Sequence, residues 1–361
     1  MKKNHYTIKD IARLSNVSRG TVDRVLHNRG KVSHKSRLKV EKVLSEIDYQ
    51  PNLIARSLRQ GQMYTLAVLL CKPDDPYWQM AFNGIQQAIA EFSSFGISVE
   101  VHHFSQNDSE DFNNCFHTIL SKKPHGIAVA PISRASSDVF LELSLEKNIP
   151  VTVFNTPVQT KVNGFIGQDL YQSGRIGGDL LAKMNKSGGK FAIVHMDGVF
   201  RDSRTMQEKD MGFRSFFFQK DHYEVVSLNI DKQQNDIQDE WIKDFFAQHP
   251  DLAGLLVSTS KTYKIAAIME ELNIHANLIG YDLIPQNVHF LSKGIIDFLI
   301  HQNPHKQGYL AVKDLAEHFL FQKDIPAQNL LPIDIVNQEN VNCYLENMQP
   351  EPHDLEKTDR I

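Results

Sequence analysis

The chain has 361 residues, a length that predicts two or three domains and not one. Hydrophobic residues make up 41% of it and charged residues 23%, and no apolar run approaches the roughly 18 residues of a membrane helix, which argues against a membrane-spanning protein. Cys71, Cys115 and Cys343 are odd in number and far apart, which argues against a disulfide framework or a zinc site and predicts a reducing, cytoplasmic setting.

The charge of the chain is divided unevenly along its length. Residues 1–61 hold 14 Lys and Arg against 5 Asp and Glu, whereas the remaining 300 residues hold 25 against 38. A small basic head on a large acidic body is typical of a nucleic-acid-binding module joined to a second function. A solvated basic tail is the alternative, and the helical pattern of the head argues against it.

The head begins with three short helical patterns, each with apolar residues at helical spacing and a hydroxyl residue at the N-cap. The first is predicted over about residues 7–14 with Thr7 as its cap, the second runs from Ser18 to Asn28, and the third opens at Ser33. Three short helices with a tight turn between the first two make a helix-turn-helix unit.

The second of these helices has a polar and charged outward face. The residues predicted on that face are Arg19, Gly20, Asp23, Arg24 and His27. A cationic helix that presents its N-terminus fits the major groove of DNA, where arginine reads guanine. The alternative is a charged face that contacts only solvent, and the net charge of the head disfavours it.

The head resembles the lactose-repressor (LacI) family. The resemblance rests on Thr7–Ala12, Asn16–His27 and Tyr49–Arg59, which follow the family pattern T-[IL]-x-D-[IV]-A, GVS, TVSRVLN and Y-x-P-N-x-x-A-R-x-L. It implies that the protein binds double-stranded operator DNA. By this resemblance the residues facing base edges are Arg19, Gly20 and Arg24, and those contacting phosphates are Thr7, Ser18, Thr21 and Asn28.

Two positions of the reading helix depart from the family pattern. Asp23 stands where the family usually has serine, and Gly20 stands where a larger reader is frequent. Asp23 could accept a hydrogen bond from cytosine, or it could orient Arg19 or Arg24. These departures leave the operator sequence open and do not weaken the prediction of DNA binding.

A short segment after Pro51 has its own predicted role. Residues 52–59 could form barely two helical turns, and an isolated helix of that length is unstable in water, so it should order only on gaining contacts. Leu58 beside Arg59 could pry a base step apart in the minor groove. The resemblance implies that role, with Asn52 and Ala55 nearby, and an ordinary linker is the alternative.

The body alternates apolar strands with amphipathic helices. The predicted strands are 66–70, 127–130, 151–154, 191–194, 255–257 and 278–280. Continuous apolar runs favour parallel strands that are covered on both faces. Repeated βα units over about 280 residues predict an α/β fold with two doubly wound parallel lobes behind the helix-turn-helix head.

Polar side chains follow several of these strands. The segments concerned are 74–78, 155–157, 258–260, 281–282 and 301–304. Ligands of such sheets bind at the carboxyl ends of the strands, and hydrogen-bonding side chains with an aromatic pair suit a sugar. Each segment alone is more often an ordinary turn or a helix cap, but all five are expected at the same edge of the sheets.

The body resembles the type I periplasmic-binding, ribose-binding-like fold that LacI-family regulators use. The markers are residues 74–78, Gly167–Gly177, Gly280–Asp282 and Ile300–Gly308, and the resemblance covers residues 64–336. By this resemblance a ligand cleft is lined by Asp75, Tyr77, Trp78, Asp282 and Gln302.

The polar clamps of that cleft depart from the family. Asn155 and Thr156 replace a frequent Asp-Arg, and Thr259 with Ser260 replaces Asn-Asp. The arginine expected before Gly212 is represented by Gln207, with Arg201 and Arg204 as substitutes. Asn155, Arg204, Gln207 and Thr259 therefore complete the predicted ligand-binding set, and the ligand is expected to be a modified sugar, a polyol or another small molecule.

The family fold implies the following organisation of the chain. Residues 1–50 form the DNA-binding head, 51–61 the hinge helix, 62–345 the effector-binding and dimerisation domain, and 346–361 a disordered tail. The first lobe is expected over about 62–160 and 303–330, and the second over about 161–302 and 331–345. Three chain crossings between the lobes would form a hinge that can close over a ligand.

The function predicted from these observations is a ligand-responsive transcription regulator, acting as a repressor and a homodimer on a pseudo-palindromic operator. No dinucleotide loop, P-loop or nucleophile elbow is present, so neither an enzyme nor a cofactor or metal is predicted. Two alternatives remain open: a sugar-processing enzyme with a DNA-binding appendage, and a constitutive DNA binder whose body only dimerises.

Overall fold

The computed structural model describes residues 8–26, 30, 32–46, 63–106, 108–131, 134–196, 200–201, 203–230 and 235–348. The chain divides into two compact units, Met1–Gln60 and Gly61–Ile361. Within the described residues, no helix combines the length and apolar character needed to cross a membrane.

The head contains the three predicted helices, which are α1 (Ile8–Ser15), α2 (Arg19–Leu26) and α3 (His34–Glu46). One apolar side chain from each helix is fully buried in a common core, namely Ile11, Val22 and Val40. Asn16 turns the chain between α1 and α2 in the left-handed region, with φ of 50°. The helix-turn-helix prediction is confirmed.

The first lobe of the body is a six-stranded sheet with helices on both sides. Its elements are β1 (Tyr64–Cys71), α4 (Pro76–Phe92), β2 (Ile97–Phe104), α5 (Ser109–Lys122), β3 (Gly126–Val129), α6 (Arg134–Glu146), β4 (Val151–Phe154), β5 (Gly164–Gly167), α12 (Pro304–Phe321) and β11 (Gln328–Leu330). The strand order is β11-β5-β4-β3-β1-β2, and every described pair in it is parallel.

The second lobe repeats this architecture. Its elements are α7 (Leu170–Met184), β6 (Gly189–Met196), α8 (Arg204–Phe217), β7 (Tyr223–Ile230), α9 (Asn235–Gln248), β8 (Leu252–Val257), α10 (Thr262–Glu271), β9 (Asn277–Tyr281), α11 (Pro285–Ser292), β10 (Phe298–His301), β12 (Asp334–Val336) and α13 (Val341–Met348). The order is β12-β10-β9-β8-β6-β7, with β12 antiparallel to β10. The predicted two doubly wound lobes are therefore confirmed.

Two of the predicted boundaries need correction. The second lobe was expected to begin at about residue 161, but β5 pairs with β4 and β11 in the first sheet, so the chain leaves the first lobe only after Gly167. The tail was expected from residue 346, but α13 continues to Met348 because Tyr344 and Leu345 pack against the second core. Residues 349–361 lie outside the described part of the chain.

The chain passes between the lobes at three places: after β5, after β10, and between β11 and β12. The buried side chain of Gln168, at the first crossing, joins all three. Its Nε2 donates to the carbonyl of His301 at 2.9 Å and to that of Pro332 at 2.5 Å. The amide group of Gln168 therefore connects the three crossings through hydrogen bonds.

Candidate functional site: a DNA-reading helix and a polar cleft

Helix α2 presents to solvent the side chains that were predicted to read DNA. Arg19, Gly20 and Arg24 are exposed, while Val22 and Val25 of the same helix are buried in the core of the head. The helix is therefore amphipathic, with its cationic side outward. That is the orientation required of a helix that enters a groove.

Ser18 caps this helix as the sequence predicts. Its Oγ accepts from the backbone N–H of Thr21 at 3.2 Å and lies 2.9 Å from the Thr21 hydroxyl. Ser18 is exposed, and Thr21 and Asp23 are half-buried. The positions predicted at Thr7, His27, Asn28, Asn52, Ala55, Leu58 and Arg59 lie outside the described residues.

In the body, the first-lobe residues predicted to bind ligand lie together at the carboxyl edge of the sheet. Asp75 is the N-cap of α4, where its Oδ1 accepts from the backbone N–H of Tyr77 at 2.9 Å. The Tyr77 hydroxyl donates to Oδ1 of Asn155 at 2.6 Å, which joins the ends of β1 and β4. Tyr77 and Trp78 are both buried, with their rings edge to face at 5.0 Å.

Asp282 and Gln302 form a second buried group, at the ends of β9 and β10. Gln302 donates twice to Asp282: its backbone N–H to Oδ1 at 3.1 Å, and its side-chain Nε2 to Oδ2 at 2.7 Å. Burial raises the pKa of Asp282 to about 6. Burial also raises the pKa of Tyr77 well above its ordinary value, and the carboxylates of Asp282 and Asp75 add to that effect.

The sequence reasoning missed a buried lysine beside this carboxylate. Lys209 of α8 is 2% exposed, its Nζ donates to the carbonyl of Ser258 at 2.9 Å, and it lies 3.5 Å from the centre of the Tyr281 ring. Burial lowers its pKa to about 8, while the nearby carboxylate of Asp282 favours the charged form. An ammonium and a carboxylate thus compensate each other beside the cleft.

The nearby residues that were predicted to contact a ligand, Gln207 and Arg204, make contacts of their own within the second lobe. The Nε2 of Gln207 donates to the carbonyls of Phe200 and Arg201, at 3.1 and 2.7 Å. Arg204 pairs with Glu208 at 3.4 Å. A signal was present in the sequence, since position 209 falls on the apolar stripe that α8 buries, with Met206 and Phe213.

The loop after β8 carries the predicted Thr259 and a second lysine that sequence reasoning missed. Thr259 Oγ1 accepts from the backbone N–H of Lys261 at 3.4 Å. Lys261 Nζ lies 2.5 Å from Oδ2 of Asp75, so a second-lobe residue reaches a first-lobe residue. Asn287 supports the loop, because its Nδ2 donates to the carbonyl of Ser260 at 3.0 Å.

A buried polar chain anchors the same loop from the other side. His195 Nδ1 lies 2.7 Å from the Ser258 hydroxyl, and His195 Nε2 lies 3.3 Å from Oδ1 of Asp210, which also accepts from Arg214 Nε. A hydrogen-bonded series of serine, histidine and aspartate is typical of the activated nucleophile of a hydrolase. Ser258 itself is only 2% exposed, however, so a substrate could not reach its hydroxyl. The hydrogen bonds instead support the loop that carries Thr259 and Lys261.

Two family models match the chain. The model of bacterial regulatory proteins of the lacI family matches residues 7–52, and the model of a periplasmic binding protein domain matches residues 66–323. A solved structure of a Bacteroides fragilis protein, proposed to be a LacI transcriptional regulator, covers 78% of this chain and 100% of its own, with a TM-score of 0.74 and 28% identity.

Curated relatives match over a smaller share of the chain. The xylose/arabinose-binding protein XylF of Sulfolobus acidocaldarius is 27% identical over 224 residues, which are 56% of this chain and 54% of that protein. Catabolite control protein A of Staphylococcus aureus is 28% identical over 189 residues, or 52% and 55%. The chain spans about half the length of the curated relatives it matches. The chain therefore belongs to the periplasmic binding protein domain family and carries, ahead of that domain, a head of the lacI family of bacterial regulatory proteins.

Proposed function

We propose that the protein is a transcription regulator in which the head binds operator DNA and the body adjusts that binding in response to a small molecule. The observation that carries the proposal is the joining of an exposed, cationic α2 to a two-lobed body with polar side chains at the ends of its strands. Because DNA is the proposed partner, the proposed site of action is the cytoplasm. Repression of transcription is the proposed outcome.

The proposed effector is a sugar or a sugar-like molecule that binds between the lobes. One relative is named for binding xylose and arabinose, and a structure with TM-score 0.70 for binding glucose and galactose. The cleft offers hydrogen-bonding groups on Asp75, Asn155 and Asp282 beside the rings of Tyr77 and Trp78. Such a combination suits a ring with polar edges and apolar faces.

The proposed coupling is thermodynamic. Two copies of the head, in a homodimer, would engage the two halves of an operator. An effector that binds one arrangement of the lobes more tightly than another shifts the population of that arrangement, and with it the affinity for DNA. A coupling free energy of about 1–3 kcal/mol would change the operator affinity roughly 5- to 150-fold.

A thermal-shift screen tests the effector part of the proposal. Pentoses, hexoses, polyols and sugar acids are added singly to the full chain, and an effector at 100 times its Kd should stabilise the protein by about 2.7 kcal/mol. The variant Asp75→Ser keeps an N-cap for α4 but removes the carboxylate. The effector should no longer raise its melting temperature. If no compound of this panel stabilises the protein, the effector is not of this class.

The DNA part of the proposal predicts a specific effect of Arg24→Ala. An arginine that reads a base should lose about 1–3 kcal/mol of discrimination between operator and random DNA when truncated. Arg13→Ala is the control, because Arg13 is an exposed cation of the head on α1 and not on α2. Binding to selected operator and random duplexes is measured at several salt concentrations. Equal loss on both duplexes would show that Arg24 contacts only phosphate.

A further inference from the structure

The ion pair of Lys261 and Asp75 joins the two lobes directly. Asp75 belongs to the first lobe, at the start of α4, and Lys261 belongs to the loop between β8 and α10 of the second lobe. Their charged atoms are 2.5 Å apart, and the side chains are only 14% and 19% exposed. Because water screens a half-buried pair less than an exposed one, its attraction is stronger than that of an ordinary surface pair.

Both ends of this pair are held in place by other contacts. Asp75 uses its second oxygen to cap α4, so the carboxylate cannot rotate freely. The Lys261 loop is fixed by Asn287, whose side chain bonds both to the carbonyl of Ser260 and to the backbone N–H of Tyr263. A pair whose partners are already positioned loses little side-chain entropy when it forms.

Apolar contacts between the lobes accompany the ion pair. Ile284, next to α11 of the second lobe, is fully buried in the first-lobe core, and Tyr263 of α10 packs against the same core. The lobes therefore meet around the ion pair. Asp75 is also one of the proposed effector contacts, so the lysine occupies a carboxylate that the effector would need.

We propose that Lys261 is a latch between the lobes, which holds them together through Asp75 and competes with the effector for that carboxylate. The identity of the cleft as the effector site rests on the proposed function, whereas the latch itself does not. A ligand group that takes over Asp75 must replace an ammonium, so it must be a hydrogen-bond donor such as a hydroxyl or a protonated amine. Asp75, which can only accept, would therefore select against ligands that present only acceptors at this position.

The distance between the lobes, measured by electron spin resonance without DNA or effector, tests the latch. Exposed Cys343 on α13 carries one spin label in the second lobe, and an introduced Lys147→Cys at the end of α6 carries the other in the first. Half-buried Cys115 is replaced by serine, and buried Cys71 is left. Labelled chains are diluted into unlabelled protein so that distances between copies do not contribute.

The latch predicts one narrow distribution of distances between the two labels in the labelled protein with Lys261 intact. In Lys261→Met the distribution should move to longer distances and become broader. The control Lys243→Met breaks a pair of the same 2.5 Å length with Glu271, but within the second lobe, and should leave the distance unchanged. The exchanged variant Asp75→Lys with Lys261→Asp should restore part of the narrow distribution. Circular dichroism establishes that each variant is folded.

An unchanged distance in folded Lys261→Met would overturn the latch. So would an equal shift in Lys243→Met, because the pair would then have no special part in holding the lobes together. Since the measurement uses neither DNA nor effector, failure of the proposed regulator function would leave its result unaffected. Conversely, loss of the latch would leave the thermal-shift and DNA-binding tests as they stand.

Discussion

Replacing Lys209 with methionine is expected to lower the free energy of unfolding by about 1–3 kcal/mol, because the change removes a buried ammonium that donates to the Ser258 carbonyl and favours the charged form of Asp282. Asp282 is fully buried, and Lys209 is the cation that favours its charged form. Methionine keeps much of the volume of the lysine side chain, so the expected loss comes from charge and not from a cavity. Urea unfolding at pH 7 measures the effect.

A second substitution distinguishes the charge effect from a packing effect. In the double variant Lys209→Met with Asp282→Asn both charges are gone, and the loss should be smaller than in Lys209→Met alone. The control is Lys183→Met, which removes an exposed pair with Asp179 and should change stability by less than about 1 kcal/mol. If Lys209→Met is as mild as this control, the pair does not matter for folding.

Replacing Gly84 with alanine is expected to destabilise the first lobe by about 1–3 kcal/mol, towards the upper end, because the added methyl group meets backbone and not a mobile side chain. A Cβ at Gly84 would lie 1.8 Å from the carbonyl oxygen of His305, where α4 crosses α12. Both helices begin at the cleft, since α4 starts after Asp75 and α12 after Gln302. Separating them should therefore also displace these side chains.

The two tryptophans allow this effect to be located. Trp78 lies in the first lobe and Trp241 in the second, so fluorescence of a variant retaining only Trp78 reports unfolding near the cleft. Gly20→Ala, in a helix where the nearest atom is 3.9 Å away, is the control and should not destabilise its own unit. Unchanged unfolding in Gly84→Ala would mean that the helices can move apart without loss.

The order of elements in the body could be predicted because its central strands are continuous apolar runs. Among the strands that escaped prediction, β2, β7, β11 and β12 lie at sheet edges, and β5 is an interior strand of four residues, two of them glycine. In β2, buried Ile97 and Phe104 flank exposed or half-buried positions, and β11 and β12 have three residues each. An edge strand has one neighbour and one covered face, so its hydrophobic signal is weaker.

The cleft was predictable only where residues follow strands. Asp75, Tyr77, Asn155 and Asp282 could be placed from the rule that parallel strands end at the same edge. Of the two lysines, Lys209 was signalled by its position on the apolar stripe of α8, but Lys261 could not be placed, because lysine is ordinarily exposed and its burial depends on a partner distant in sequence. Lys261 and Asp75, for example, are 186 residues apart.

The amide of Gln168 restricts how the lobes can move. If the three crossings were separate tethers, each could stretch by itself, and the lobes could slide or twist in several directions. Since one side chain bonds to both other crossings, a rotation about this point would keep the two hydrogen bonds, whereas separating the crossings would break them. A molecule bound between the lobes would then change mainly one quantity, the angle between the two lobes at the crossings.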